Sequence, residues 1–234
     1  VLVRGTADPS TWHFTRTHAD GSVCRLDMLC YVDDNCSKFV PDARGWQLHR
    51  DICDHINTRF TIKADADGNR YGEEAKSFLG CQIVHDWSAH TVTVTLPAKT
   101  RAVLDMANMT DCNSKRTPGV PHEVILQAQP HEELLPKTVP YANVCGAMLW
   151  ISRMVRPDCM QRTAELARAM HAPTWRHWAH MKHLLAYLKS TLDEGLVYKQ
   201  DSSVTRATFG YKGYADADYA PARLCWKCTC CTSS

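Results

Sequence analysis

Five prolines (Pro118, Pro121, Pro130, Pro136 and Pro140) fall between residues 113 and 140. Proline lacks a backbone N–H and clashes with the preceding helical turn, so no long helix or central strand can cross that stretch. The segment 113–140 therefore reads as a linker dividing a strand-rich front from a helical back. In the front part, an apolar run from Leu26 to Val32 is interrupted by Asp33-Asp34-Asn35 and resumes as Phe39-Val40. That pattern predicts strand, tight turn, strand. Residues 44–57 suit a helix, with Trp46, Ile52 and Ile56 near one face. A second hairpin is expected from Phe78–Val84 and Thr91–Leu96, turning at Asp86-Trp87-Ser88. In its second strand Val92, Val94 and Leu96 alternate with Thr91, Thr93 and Thr95, the two-residue period of a sheet with one buried face. Pro97 then opens a helix over 97–109.

Behind the prolines, Val144, Met148, Ile151 and Val155 recur at helical spacing, and this helix stops before Arg156-Pro157. A second helix is expected over 159–171. Pro173-Thr174 opens a third over 174–189, with Trp175, Trp178, Leu185 and Leu188 turned inward. Two short strands, 195–199 and 207–215, follow. Strands, then helices, then strands again predict an α+β fold.

Composition narrows the class further. With 44% hydrophobic and 22% charged residues the chain is ordinary for a soluble globular protein. Its net charge of +2 is compatible with a polyanionic partner without requiring one. No apolar run approaches the ~18 residues a membrane helix needs, and no secretory signal opens the sequence. An intracellular, reducing compartment (cytoplasmic or nuclear) is expected. Of twelve cysteines, eight are scattered singly from Cys24 to Cys159, as small buried hydrophobes would be. The other four, Cys225, Cys228, Cys230 and Cys231, crowd the C-terminus.

The sharpest chemical feature is Tyr31-Val32-Asp33-Asp34. Two adjacent carboxylates at a hairpin tip can hold Mg²⁺, which binds through one or two carboxylates plus substrate phosphates. Two such ions ~3.5–4 Å apart can activate a hydroxyl nucleophile and steady a leaving pyrophosphate. On chemistry alone a solvated turn accounts for an Asp-Asp pair better than a metal site does, since such pairs are common in turns.

The wider sequence resembles copia-type retrotransposon Pol polyproteins, in order, over about residues 1–220. Tyr-x-Asp-Asp between apolar strands resembles the palm hairpin of reverse transcriptases. Ala7-Asp8-Pro9-Ser10-Thr11-Trp12 looks like the segment leading into it. Phe78-Leu79-Gly80-Cys81-Gln82-Ile83 is similar to the family's Phe-Leu-Gly-x-x-Ile strand, and Lys115-Arg116-Thr117-Pro118 to its Thr-Pro linker. Tyr141 to Trp150, followed by Arg156-Pro157-Asp158, resembles its Tyr-x-x-x-x-Gly-x-Leu-x-Tyr helix and Arg-Pro-Asp turn. His177-Trp178 through Tyr187-Leu188-Lys189-Ser190-Thr191-Leu192 fits its His-Trp element. Gly213 to Ala220 is close to the point where its RNase H domain starts.

The resemblance implies roles. Asp33 would be the palm's metal ligand, Asp34 its less directly bound neighbour, and Asp216 the first RNase H carboxylate. Mg²⁺, with Mn²⁺ as an alternative, would be the cofactor. The hairpin 78–96 would stand where the primer grip stands. Tyr31, Arg176, Lys182 and Lys189 would contact an RNA template and DNA primer, fixing position without reading sequence. A solvated helix face explains those basic residues equally well. Further partners would be the rest of a Pol polyprotein, with virus-like particles as one setting, and no membrane.

The family's Asp-x-x-x-Ala-Phe carboxylate and its Leu-Tyr-Gly-Leu-Lys-Gln stretch are not found, and the sequence opens without Met. The expectation is a fragment of an RNA-directed DNA polymerase, inactive alone. The alternatives are a non-catalytic nucleic-acid-binding remnant and an unselected transposon relic. The expected divisions are a partial palm over 1–112, the linker, a thumb- and connection-like block over 141–192, the start of RNase H over 193–220, and an unrelated tail over 221–234. Two further motifs are read as decoys. Asp65-x-Asp67-Gly68 with Glu74 approaches a calcium loop, but Lys63 stands where its first carboxylate belongs. The terminal cysteines lack the second spaced pair of a zinc site, and a reading-frame shift explains the tail's composition.

Overall fold

The front of the chain forms an antiparallel meander of β1 (Leu2–Arg4), β2 (Thr11–Thr17), β3 (Val23–Tyr31) and β4 (Asp34–Phe39), hydrogen-bonded in that order. These coordinates are a computed structural model that describes residues 2–32, 34–61, 71, 76–120, 123–201 and 203. Val1–Lys199 form one compact unit and Gln200–Ser234 a second. In the second unit Asp201 accepts hydrogen bonds from the Ser203 amide and hydroxyl. The expected hairpin is β3–β4, and two strands upstream of it extend the sheet. Its inner face carries Leu26 and Met28, buried under Leu48 and Ile52 with Trp12, Phe14 and Phe39 around them. Leu48 and Ile52 come from α1 (Ala43–Asn57), which starts where Asp42 accepts the Gly45 amide at 2.7 Å. That bond satisfies one of the unpaired N–H groups of the first turn.

A second antiparallel sheet runs β5 (Ser77–Phe78), β6 (Cys81–Asp86), β7 (Thr91–Thr95) and β8 (Leu196–Lys199). The single strand expected over 78–84 is split, because Leu79 and Gly80 both take positive φ (53° and 77°) and reverse the chain. Successive left-handed residues match the right-handed twist of a two-residue hairpin, and glycine adopts that conformation without steric cost. The expected turn at Asp86-Trp87-Ser88 instead begins after Asp86, which closes β6. The Asp86 carboxylate then accepts from the Ser88 hydroxyl and the Ala89 amide. Residues 196–199, expected with an RNase H-like domain, pair with β7 as β8. The strand expected over 207–215 lies outside the described residues, as do Asp216, the calcium-like loop residues Asp65, Asp67, Gly68 and Glu74, and the cysteine-rich tail.

The larger core lies between this sheet and α2 (Pro97–Met106), α3 (Tyr141–Met154), α4 (Met160–Arg168) and α5 (Trp175–Ser190). Val103, Val144, Met148, Ile151, Leu166, Met181, Leu184, Leu185 and Leu188 are essentially sealed from water. Each such side chain contributes roughly 1.5–3 kcal/mol by leaving water. Helix α2 ends earlier than expected, because Asn108 adopts φ 53° and the Met109 amide folds back to the Leu104 carbonyl, a common left-handed helix stop. A 3₁₀ turn, Pro157–Cys159, joins α3 to α4.

Among the described residues of 113–140 no helix or strand forms beyond an isolated bridge between Leu134 and Thr174, yet the segment is pinned along α4 and α5. Arg162 donates to the Val120 and Glu123 carbonyls, and His183 Nε2 lies 3.1 Å from the Thr117 carbonyl. Ser190 Oγ donates to the Lys115 carbonyl, while the Lys115 amide donates to that of Ala186. Farther along, the Leu135 amide donates to the Pro173 carbonyl. The few turns the strap makes within itself, such as the Glu132 amide to the Gln129 carbonyl, leave the rest of its backbone to side chains and backbone groups of the helical block.

Candidate functional site

Tyr31 and Asp34 are the last cross-strand pair of the β3–β4 hairpin. Val32 follows Tyr31 with φ 55° and 91% exposure. A β-branched residue in the left-handed region is strained, and such strain concentrates at functional tips. Asp33, the foremost expected metal ligand, lies outside the described residues. Asp34 is exposed, and its Oδ2 accepts a hydrogen bond from the Leu79 amide at 3.3 Å. That bond joins the tip of the first sheet to the left-handed turn of the second across a long sequence separation. Leu79 was not foreseen as a partner. The legible signal was Gly80, which marks a turn inside an otherwise strand-like run.

Because Tyr31 pairs with Asp34, their side chains share the face opposite Leu26 and Met28. Further down that face the register aligns Val3, His13, Asp27 and Lys38 in one row. His13 Nδ1 lies 2.7 Å from Asp27, and Arg25 Nε donates to the same carboxylate at 3.0 Å. Partial burial pushes the Asp27 carboxyl up, but the bonds from His13 and Arg25 outweigh it and hold it below the ordinary value. That row is polar and charged, while Leu29 and Cys36 stand on the same face between it and the tip.

The Asp34 carboxylate is an oxygen donor of the kind Mg²⁺ takes when phosphate and water supply most of its ligands. Among the described residues, no group of three or more His, Cys, Asp or Glu side chains could enclose a metal ion. A closed structural metal site is thus not formed there. The described cysteines are all free, and four of them (Cys53, Cys81, Cys145 and Cys159) are buried. Burial pushes the Cys145 thiol up to about 11 and that of Cys159 up to about 12, which makes them inert packing residues.

The basic residues of α5 are not equivalent. Arg176 forks onto Glu132 at 2.5 and 3.0 Å and also donates to the Leu126 and Gln127 carbonyls. Its guanidinium, with help from the Gln129 amide, holds the Glu132 carboxyl down at about 2. Lys189 Nζ donates to the Cys112 carbonyl at 2.7 Å. Both cations serve the strap, whereas Lys182 is exposed. Tyr31 is exposed beside the hairpin tip.

Among the described residues, two antiparallel sheets and five α-helices, with an exposed carboxylate at a strained hairpin tip, make this a mixed α/β chain. Among the proteins it is similar to are Pol polyproteins of transposons. The chain is 27% identical over 195 residues to the retrovirus-related Pol polyprotein from transposon RE2 of Arabidopsis thaliana, a match covering 82% of this chain and 12% of that protein. It is 25% identical over 155 residues to the retrovirus-related Pol polyprotein from transposon TNT 1-94 of Nicotiana tabacum, covering 62% of this chain and 11% of the polyprotein. Secreted RxLR effector protein 161 of Plasmopara viticola is 36% identical over 85 residues, covering 36% of this chain and 56% of that protein. The chain thus spans about an eighth of the length of the polyproteins it matches. No family model matches it, and no solved structure does. No helix among the described residues is long and apolar enough to cross a membrane.

Proposed function

We propose that the chain is a segment of the RNA-directed DNA polymerase of a copia-type retrotransposon, carrying the palm hairpin that presents Asp33 and Asp34 to Mg²⁺. The observation that carries this reading is the Asp34 carboxylate at the β3–β4 tip, facing the Leu79–Gly80 turn, in a chain similar to transposon Pol polyproteins. Mg²⁺ bound there would supply the charge that favours attack of a primer 3′-hydroxyl on a nucleotide α-phosphate. The protein's own part is positional. Asp34 ties the two hairpin turns together, and the exposed Val32 and Tyr31 side chains stand beside it. An RNA–DNA hybrid is the substrate, with Lys182 as the exposed cation of α5, and Asp216 would belong to an adjoining RNase H domain.

The test follows Mn²⁺ as a paramagnetic stand-in for Mg²⁺. Amide NMR signals of residues 30–35 should broaden on titration while those of α3 and α5 stay sharp, and Asp33→Asn together with Asp34→Asn should abolish the effect. Broadening that is uniform, or that survives in the double variant, refutes the reading.

A further inference from the structure

The proline-rich strap runs antiparallel to α5 and is fastened to it at successive turns. Lys189 reaches the Cys112 carbonyl, Ser190 that of Lys115 and His183 that of Thr117. Nearer the start of the helix, His180 Nδ1 lies 3.6 Å from Glu123 Oε2 and His177 Nε2 lies 2.8 Å from the Leu126 carbonyl. Arg176 donates to the Leu126 and Gln127 carbonyls and forks onto Glu132. Three of these fastenings are histidines spaced three residues apart, which places His177, His180 and His183 along one side of the helix.

A proton does something different to each of them. His177 is sealed from water. Its Nδ1 accepts the Thr174 amide, so its proton sits on Nε2 and goes to Leu126. A second proton would enter at Nδ1 against the Thr174 amide hydrogen, beside the Arg176 guanidinium and with Glu132 as the opposing charge. The His180 side chain is 14% exposed. It stands near Arg162 of α4 and near Arg176 and His177 of its own helix, with Glu123 of the strap opposing them. For both rings burial, helped by the neighbouring cations, outweighs the carboxylates and makes the proton harder to bind than on free imidazole. His183 keeps its bond to Thr117 in either charge state, because its Nε2 carries a proton in both. Beyond these histidines the strap has an anchor that mild acid leaves alone, since Arg176 holds the Glu132 carboxyl down at about 2.

We propose that residues 123–127 form a clasp that two protons, one on His177 and one on His180, open while the helical core stays folded. Glu132 stays with Arg176, so the opening is local. It costs the Leu126 and Gln127 carbonyls their bonds from Arg176, and the Glu123 carbonyl its bond from Arg162. The open form binds protons that the closed form excludes. The closed form is therefore complete above pH ~6.5 and gives way as the pH falls below that value. Each proton taken up raises the open fraction by up to about ten-fold per pH unit.

Ile125 reports on the clasp, because its side chain is partly buried against the helical core, whereas Ile151 is sealed within α3. Methyl NMR of the full chain, titrated from pH 7.5 to pH 5.0, follows both. The Ile125 methyl should move toward its unfolded position below pH ~6.5 while Ile151 stays in place, with an open fraction that climbs by up to about a hundred-fold per pH unit. In His180→Gln the climb should fall to about ten-fold. An Ile125 signal indifferent to pH, or one that moves only together with Ile151, overturns the proposal. So does a climb that His180→Gln leaves unchanged. The wild-type titration needs no substitution, so it decides the matter if the variant disturbs the core.

Discussion

Arg156 gives the strongest test of how the helical block is held. Its side chain is 4% exposed, a position that a cation tolerates only when every donor is matched. Nε and Nη2 fork onto Asp158 at 3.0 and 2.7 Å, Nη1 donates to the Thr191 carbonyl at 2.8 Å, and Nη2 also reaches Thr191 Oγ1 at 2.7 Å. The guanidinium lies over the Tyr187 ring, whose hydroxyl donates to Asp158. Arg156, two residues past the end of α3, thereby clamps the C-terminal end of α5. Burial disfavours the charge on Arg156, but Asp158 more than offsets this and raises the affinity for the proton. Arg156→Ala deletes all four bonds. A fully buried pair would lose about 3–5 kcal/mol when one partner is removed. Asp158 is partly exposed and can rehydrate, so about 3 kcal/mol is expected. For a domain of this size that corresponds to a fall of about 6–12 °C in Tm. Arg156→Lys keeps the charge without the planar fork and should lose about half as much. Urea unfolding followed by far-UV circular dichroism, at unchanged m value, measures both. A loss below about 1 kcal/mol in Arg156→Ala, or equal losses in the two variants, would show that the clamp is not what holds α3 to α5.

Two further outcomes are expected. Gly146 sits mid-helix in α3, and an added Cβ there would meet nothing within 4 Å, so Gly146→Ala should stabilise the chain by about 0.5–1 kcal/mol in the same urea assay. His177 is buried and neutral, with Nδ1 accepting the Thr174 amide and Nε2 bonded to the Leu126 carbonyl. Burial holds its pKa below the ordinary 6.5. The unfolded chain therefore takes up the proton first, and stability that is full above pH ~6.5 drops as the pH falls through that value. The urea midpoint should decline from pH 7.5 to pH 5.5, and the decline should shrink in His177→Gln.

Elements whose periodicity matched one environment were legible in the sequence. Helix α3 follows the Val144, Met148, Ile151, Val155 spacing almost to the residue, because a stripe sealed by partners on one side has a single helical solution. The β3–β4 hairpin was legible for the parallel reason that polar residues interrupt an apolar run. The division of β5 from β6 was hidden, since Leu79 is apolar and adopts a conformation that its side chain disfavours. Strand β8 was legible as a strand, but its partner was not, because pairing with β7 depends on a chain return that no local pattern encodes. At the site, Tyr31 and Asp34 could be placed from sequence, whereas the Leu79 amide could not. Backbone donors leave no compositional trace.

The fate of the basic residues on α5 shows how a charge pattern can mislead. Arg176, Lys182 and Lys189 read as a row for phosphates, yet a proline-rich segment must also have its carbonyls satisfied. Arg176 and Lys189 are near enough to do it. What remains at that helix is one exposed cation, on a chain whose net charge is only +2. Counterion release scales with the number of phosphates neutralised, so electrostatics at α5 gives little affinity and a shallow salt dependence. Affinity for a nucleic acid would then have to come mainly from contacts that do not depend on charge. Oligonucleotide binding with a weak salt slope is therefore the outcome this arrangement of α5 favours, and a steep slope is the one it opposes.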